Sequence, residues 1–187
     1  MSEPVPPHIV DAARHVLAQD GLAAATLERI SAAAGISRMT LHRHGVTKEE
    51  ILRALAEQLQ SAYREAFWPA LVAKGTGRER LELALALQCQ VTEDNLATLR
   101  ALSEAARDAI YHDDDQQTRK EFVEPIERLL IDGATDRSLR PTDTEEMATL
   151  LFNAVGHTYR HLRTGHGWEP PRASRAVVEL VVSGLSA

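Results

Sequence analysis

The amino-acid sequence predicts an all-α fold of about nine helices. Its 187 residues are rich in alanine and leucine, and only 4% of them are aromatic, a composition typical of helical proteins. Apolar residues recur at spacings of three and four in segments separated by glycine and proline, and no alternating strand pattern or repeat competes with them. The chain is long enough for one domain or two small ones.

The first predicted helix follows Pro6 and Pro7 and ends near Asp20, where Gly21 stops it. Its inner face consists of Ile9, Ala13, Val16 and Leu17. This helix and the short segments after it have a small core, so they need a larger body to pack on.

The stretch from Thr26 to Glu49 predicts two short helices joined by a tight turn, followed by the start of a long helix. Thr26 can cap the first helix, and Gly35 ends it because glycine tolerates the positive φ of a sharp reversal. Ser37 can cap the second helix, in which Leu41 is the only clear core residue. The outer face of this second helix is therefore free to enter a groove of DNA.

Residues 37–48 contain three fixed positive charges, two histidines and no carboxylate. The charges belong to Arg38, Arg43 and Lys48. The whole chain has a net charge of −6, but residues 1–48 hold five basic and four acidic side chains, so the acidity lies in the remainder. This asymmetry suits a DNA-binding head on an acidic body. The alternative is a solvated basic face, because helix-turn-helix shapes also occur in proteins that do not bind DNA.

A long helix is predicted from Thr47 onward, and the segment Phe67-Trp68-Pro69 is expected to interrupt or kink it. The next helix, around residues 81–91, is apolar over most of its circumference and is therefore expected to be central. A further helix is predicted at about residues 95–111. Its inward side chains should be Leu96, Leu99, Leu102 and Ala106.

The C-terminal part predicts three more helices, at about residues 116–132, 144–163 and 172–183. Pro125 is expected to bend the first of them, and residues 132–141 are expected to form a loop. The last two helices carry the remaining apolar stripes. These are the natural surface for a C2 dimer that would form a four-helix bundle. The stripes comprise Met147, Leu150, Leu151, Ala154, Val155, Thr158 and Leu162, then Ala176, Val177, Leu180, Val181 and Gly184.

The sequence shows neither a signal peptide nor an apolar run long enough to cross a bilayer, so a cytoplasmic protein without membrane contact is expected. No catalytic constellation or cofactor motif stands out, so we expect neither an enzyme nor a cofactor. Cys89 is the only cysteine, which excludes an intrachain disulfide. Its apolar neighbours favour a small buried residue over a redox sensor.

With its helices in place, the stretch resembles the DNA-binding domain of the tetracycline-repressor (TetR) family of bacterial transcription regulators. The family motif T-x-x-x-I-A-x-x-A-G-V-S-x-x-T-L-Y-x-H-F-x-x-K-E is matched by Thr26, Ile30, Ala34, Gly35, Ile36, Ser37, Thr40, Leu41, His44, Lys48 and Glu49.

Two positions depart from this motif, because His42 replaces a tyrosine and Gly45 a phenylalanine. Histidine can gain a positive charge near neutral pH, so DNA binding is expected to weaken as the pH rises. Gly45 is expected to remove an aromatic anchor from the small head core and to lower its stability.

The resemblance implies a ligand-responsive regulator, a repressor that binds a palindromic operator as a homodimer. Residues 1–48 would form the DNA-binding domain, and residues 49–187 would bind a small-molecule effector and dimerise. The alternative is a small-molecule-binding helical protein whose DNA binding has been weakened or lost through His42 and Gly45.

Arg38 is the first choice for base readout, because a guanidinium group can pair with O6 and N7 of guanine. Met39 and Thr40 could contact thymine methyl groups or the DNA backbone, and the other candidates should contact phosphates. The predicted DNA-binding residues are Thr26, Ser37, Arg38, Met39, Thr40, His42, Arg43, His44 and Lys48.

An effector pocket is predicted among the middle helices, although each of its candidate residues is more often ordinary core or surface. The candidates are Phe67, Trp68, Gln88, Gln90, Tyr111, Phe122, Asn153 and His157. His157 and His161 lie one turn apart, with His112, His166 and residues 113–115 as further polar groups. Two histidines at this spacing need further ligands from elsewhere, so no metal site is predicted.

Overall fold

The computed structural model describes residues 4–43, 45–108 and 115–186, and within them the side chains of all but residues 106–108 and 115–121. All the helices and the single isolated bridge, between Leu139 and Ser186, lie in these ranges. The helices are α1 (Pro7–Ala24), α2 (Leu27–Ala33), α3 (Arg38–Arg43), α4 (Lys48–Val72), α5 (Gly77–Asp94), α6 (Leu96–Asp108), α7 (Asp115–Thr135), α8 (Thr144–His166) and α9 (Pro170–Ser183). The predicted all-α fold is confirmed. None of the described helices is long and apolar enough to span a membrane.

The helices group into two compact units. The first comprises residues 1–59 and 95–112, and the second comprises residues 60–94 and 113–187. The residues of α4 are divided between the two units, and α6 belongs to the first although it follows α5 in the chain. The predicted functional division into residues 1–48 and 49–187 stays a prediction.

The first unit has its own apolar core, to which α1, α2, α3, α4 and α6 contribute. Gly21 interrupts α1 with a φ of 75° and a ψ of 177°, so the predicted helix end near Asp20 is confirmed and one further turn reaches Ala24. The buried residues of this core are Ile9, Val10, Ala12, Ala13, Val16, Leu17, Ala25, Ile30, Leu41, Val46, Ile51, Leu55 and Ala101.

The inner face of α6 differs from the prediction. Thr98 and Ala101 are each 2% exposed, whereas Leu96, Leu99 and Leu102 are only half-buried. Because α6 packs against α1, small side chains at the contact let the two helices approach closely. The apolar periodicity of α6 therefore pointed to the wrong face, and the predicted inward Ala106 lies outside the described side chains.

The second unit is built around α5, which packs against α7, α8 and α9. Its central position was predicted and is confirmed. Cys89 on this helix is 1% exposed, and burial raises the pKa of its thiol to about 11 against the opposing effect of a hydrogen bond with Ser174. The thiol is therefore protonated at neutral pH, which agrees with the predicted structural role.

The predicted interruption of α4 is wrong, because the helix continues through Pro69 to Val72. Proline removes one backbone N–H donor, and α4 ends only three residues after it, at Val72. The guanidinium group of Arg80 donates to the carbonyl oxygens of Ala70 at 3.1 Å and Leu71 at 2.7 Å, and it pairs with Asp132 at 2.8 Å. Arg80 thus satisfies carbonyl groups that the end of α4 leaves without helical partners.

The loop predicted from residue 132 begins later, because α7 continues through Gly133 to Thr135. Two glycines allow close packing at this end of α7. A Cβ atom on Gly77 would lie 2.1 Å from the backbone nitrogen of Gly133, and one on Gly133 would lie 2.4 Å from Leu139. These glycines allow close packing, which sequence patterns treat only as a signal for a turn. α7 also continues through Pro125.

The predicted start of α8 is confirmed, and the helix continues to His166 instead of ending at about residue 163. Asp143 caps its N-terminus by accepting a hydrogen bond from the Glu146 amide at 3.0 Å, and Gly167 ends it with a φ of 64°. The predicted apolar stripes of α8 and α9 are each split between two faces. Inward side chains include Leu151, Val155 and Val177, whereas Leu150 is 54% exposed and Leu180 73% exposed.

Candidate functional site

The turn between α2 and α3 is fixed by hydrogen bonds at both ends of α2. The hydroxyl oxygen of Thr26 accepts a hydrogen bond from the Arg29 amide at 3.3 Å, as predicted for a cap. At the other end Gly35 has a φ of 69°, and the Ile36 amide donates to the Ser31 carbonyl at 3.0 Å. This is the hydrogen-bond pattern of a glycine-terminated helix, so the chain reverses at the predicted position.

α3 is held by a similar arrangement. The hydroxyl oxygen of Ser37 accepts a hydrogen bond from the Thr40 amide at 3.0 Å, and Leu41, 1% exposed, anchors the inner face. After the helix, Gly45 has a φ of 65°, and the Val46 amide donates to the Leu41 carbonyl at 3.3 Å. The predicted orientation of α3, with Leu41 inward, is confirmed.

Gly45 has a different role from the one expected of it. A Cβ atom at this position would meet no atom within 4 Å, so its Cβ direction does not border the packed core. The following residue, Val46, is 5% exposed and supplies the apolar contact. Gly45 provides the positive φ that the turn requires, and its expected effect on the stability of the head stays a prediction.

The outer face of α3 collects most of the predicted DNA-binding side chains. Arg38, Met39, His42 and Arg43 are exposed, and Met39 is 77% exposed. Neither arginine forms an ion pair within the described residues. Thr40 is half-buried, and its hydroxyl group shares a hydrogen bond of 2.9 Å with that of Ser37. The structure therefore presents an unpaired cationic surface, while Ser37 and Thr40 are already engaged in capping.

Lys48 makes a contact that the sequence did not indicate. Its ammonium nitrogen donates to the Leu22 carbonyl oxygen at 2.9 Å, which ties the start of α4 to the last turn of α1. Thr47 and Glu50 exchange hydrogen bonds of 2.9 and 3.2 Å and cap the same helix end. Lys48 therefore has a structural role in the first unit, and two of its three N–H groups remain for a phosphate.

Three of the predicted effector residues lie in the interior of the second unit. Phe67 and Gln88 are completely buried, and Phe122 is 8% exposed. The side-chain nitrogen of Gln88 donates to the Phe152 carbonyl oxygen at 2.7 Å. Gly156 makes room for this amide, because a Cβ atom there would lie 3.2 Å from the same nitrogen.

Next to Gln88 lies an aromatic cluster, which we define as Tyr63, Phe122 and Phe152. The rings of Phe122 and Phe152 stack with centroids 5.1 Å apart, and the Tyr63 ring meets each of them edge-on at 5.4 and 5.6 Å. Sequence reasoning missed Tyr63 and Phe152. The position of Tyr63 four residues after Leu59, on the inner stripe of α4, was the available signal.

Hydroxyl groups connect the aromatic cluster to Gln88. Thr92 donates to the Gln88 backbone carbonyl at 2.8 Å, so the Tyr63 hydroxyl donates in turn to Thr92 at 3.0 Å. Burial raises the pKa of Tyr63, and the hydrogen bond with Thr92 opposes that shift. The side-chain oxygen of Gln88 is buried and has no hydrogen-bond partner within the described residues.

The other predicted effector residues do not converge on this cluster. Trp68 is 64% exposed, and Gln90, Asn153 and His157 are exposed. Their side chains bond to the nearby Asp94, Thr149 and Arg160 on their own helices. Helical periodicity did not distinguish these surface positions from buried ones. Tyr111 and the DNA-binding candidate His44 lie outside the described residues.

Two histidines of α8 lie in contact. The rings of His161 and His166 meet edge-on, with centroids 4.9 Å apart. Within the described part of the chain no three histidine, cysteine or acidic residues are placed to hold a metal ion. His112, Asp113 and Asp114 fall outside that part.

A surface groove of about 640 Å³ lies between α5 and α9. Leu83, Ala86, Val178 and Val182 are among its apolar lining residues, and charged side chains such as Arg175 and Glu179 also line it. The lining includes no predicted effector residue and no residue of the aromatic cluster, so the groove is a separate feature.

Comparison with known proteins agrees with this geometry. Residues 9–55 match the family model described as "Bacterial regulatory proteins, tetR family". These residues include α2, α3 and both glycine-terminated turns. Residues 9–55 are therefore a tetR-family segment. The chain's N-terminal helix-turn-helix is the segment by which the family is recognised.

The chain is also similar over nearly its whole length to known regulatory proteins. It is 22% identical to the fatty acid metabolism regulator protein of Bacillus subtilis (strain 168), with 95% of this chain and 93% of the relative covered. A tetR-family regulatory protein from Rhodococcus RHA1 superposes with a TM-score of 0.78 at 22% identity, with 96% of each chain covered. FadR from Bacillus subtilis, in complex with stearoyl-CoA, superposes with a TM-score of 0.74 at 20% identity, with 95% of this chain and 98% of FadR covered. These structural similarities establish the fold.

Proposed function

We propose that the chain is a cytoplasmic transcriptional repressor that binds a palindromic operator as a homodimer and releases it when a small-molecule effector binds. The observation that carries this proposal is the outer face of α3, where Arg38 and Arg43 are exposed without ion-pair partners among the described residues. Because its opposite face is anchored by Leu41, α3 can enter a major groove without losing core contacts.

The DNA-binding residues are proposed in two groups. Arg38 and Met39 contact bases, and Arg43, His42 and Lys48 contact phosphates. Thr26, Ser37, Thr40 and His44 complete the predicted set. The expectation that His42 makes DNA binding weaker at higher pH stays a prediction.

The homodimer is proposed to form through the outward faces of α8 and α9. Leu150 and Leu180 are among the most exposed large apolar side chains of the described residues. Ala154, Thr158 and Ala176 are also exposed along these two helices. A symmetric pair of such faces would bury these side chains in a four-helix bundle.

The effector is proposed to bind beside Gln88 and the aromatic cluster, with Phe67 as a further apolar residue. Stearoyl-CoA is the first compound to test, because the related FadR was crystallised with it. Trp68, Gln90, Asn153 and His157 are left out of the proposed site because their side chains are exposed. The function is that of a regulator and not of an enzyme.

A gel shift with the promoter upstream of the protein's own gene tests the central proposal. We expect a saturable complex that contains two chains per operator and that the double variant R38A/R43A does not form. If the wild-type chain binds that promoter no better than random duplex, and binding-site selection from random duplexes yields no palindrome, the repressor proposal is wrong. The alternative, an effector-binding protein without operator binding, would then apply.

A further inference from the structure

The side-chain oxygen of Gln88 is the buried polar atom that the fold leaves unexplained at the proposed effector site. Gln88 is completely buried, and its side-chain nitrogen is fixed on the Phe152 carbonyl at 2.7 Å. This nitrogen contact also fixes which end of the amide is the oxygen, because an oxygen facing a carbonyl would be repelled. The free atom is therefore a hydrogen-bond acceptor.

The neighbouring protein donors are already in use. The only hydroxyl proton of Thr92 goes to the Gln88 backbone carbonyl, and that of Tyr63 goes to Thr92. Within the described residues no side chain or backbone group donates to the side-chain oxygen of Gln88. An apolar residue of similar size would avoid the cost of burying an unpaired acceptor. The amide is therefore poorly explained by the stability of the protein alone.

We propose that this oxygen selects the effector by accepting a hydrogen bond from it. The inference rests on the proposed function and names the ligand class more closely. Because the atom adjoins a residue of the aromatic cluster, the effector is a largely apolar molecule that carries one O–H or N–H donor on its apolar part. A plain hydrocarbon chain would leave the acceptor unpaired, and sites built around such an acceptor reject analogues that lack the donor.

The test uses matched pairs of probes that differ in the donor: naphthalene and 2-naphthol, indene and indole, and octadecanoic and 12-hydroxyoctadecanoic acid. Binding to the full-length chain is measured by calorimetry and by the thermal unfolding midpoint. We expect at least one donor-bearing probe to bind roughly tenfold or more tightly than its partner. The variant Q88L should lose this difference, while Q90L, which changes an exposed glutamine on the same helix, should keep it.

Two results would overturn the inference. One is that no donor-bearing probe binds more tightly than its partner, and the other is that the difference in affinity persists in Q88L. If stearoyl-CoA binds wild type and Q88L equally and releases both from DNA, the proposed repressor function stands and only the role of Gln88 falls.

Discussion

Arg163 on α8 meets Glu93 in the last turn of α5 through two separate hydrogen bonds. Its Nε atom lies 2.8 Å from one carboxylate oxygen and an Nη atom lies 2.7 Å from the other. Tyr159 donates to the same carboxylate at 2.9 Å, and Arg163 also donates to the Trp168 carbonyl after α8. The two side chains are only about one-fifth exposed, at 19% and 21%, so this pair joins α5 to α8 in a partly dry environment.

Because of this ion pair, we expect the free energy of unfolding of the protein to depend on pH. The Arg163 hydrogen bond holds the pKa of Glu93 below its usual value, assisted by Tyr159 and opposed by burial. A carboxyl group whose pKa is lowered by folding stabilises the protein above its unfolded pKa of about 4.3 and loses that effect as the pH falls through its folded pKa. Glu93→Gln should therefore lower the free energy of unfolding by about 1–3 kcal/mol near pH 7 and by much less below about pH 4.

Urea unfolding at the two pH values measures this effect. Glu104→Gln is the matched control, because the Arg100–Glu104 pair on α6 is exposed at 79% and 37% and should contribute less than about 1 kcal/mol. An equal loss for Glu93→Gln at both pH values would show that its effect is not carried by the carboxylate charge.

Gly35 and Gly45 are predicted to be required for backbone reasons alone. Both have positive φ values, of 69° and 65°, and a Cβ atom on either would meet nothing within 4 Å. Alanine at each position should lower the unfolding free energy by about 1–2 kcal/mol through strain. Gly184→Ala is the control, because Gly184 has a φ of −69°. Thermal unfolding that ranks Gly184→Ala as the most damaging change would contradict this reasoning.

Arg38 and Arg43 are predicted to affect DNA binding in different ways. Arg38→Ala should relax selectivity at one base pair, at a cost of about 1–3 kcal/mol for the preferred base. Arg43→Ala should weaken binding to all DNA sequences alike, and it should reduce the salt dependence of that binding by about one charge. Binding-site selection at two salt concentrations separates these outcomes. If Arg38→Ala weakens binding to all DNA sequences equally, Arg38 contacts phosphates and not bases.

The outward apolar side chains of α8 and α9 are predicted to hold the dimer. Leu150→Glu and Leu180→Glu should each shift the chain to monomer, because two charges would face each other across a symmetric interface. Ile131→Glu is the control, since Ile131 is 44% exposed on α7. Sedimentation at micromolar concentration should find a dimer for wild type and Ile131→Glu. A monomeric wild type would refute the proposed interface.

The helix-turn-helix could be predicted closely because its determinants are local. Caps at Thr26 and Ser37 and positive φ values at Gly35 and Gly45 act through hydrogen bonds and backbone sterics within a few residues. The sequence therefore contains nearly all the information that places α2 and α3. The positive φ of Gly45 did not follow from the family pattern, because the pattern states which residue is usual and not what this backbone requires.

The candidate effector site was predictable only in part. The buried positions of Gln88, Phe67 and Phe122 were predicted because burial follows helical periodicity. Tyr63 and Phe152 were not among the predicted residues, and the predicted Trp68 is exposed, because which of several apolar positions faces inward depends on the neighbouring helices.

The sequence by itself determined the helical class, the helix-turn-helix and the sign of the charge on its outer face, because these depend on spacing, caps and composition. Only the tertiary structure decided that α6 faces inward through Thr98 and Ala101, that Lys48 binds the end of α1, and that Gln88 keeps an unpaired oxygen. These features arise between segments far apart in the chain. Packing and the satisfaction of buried polar groups decide them, and no local pattern records either.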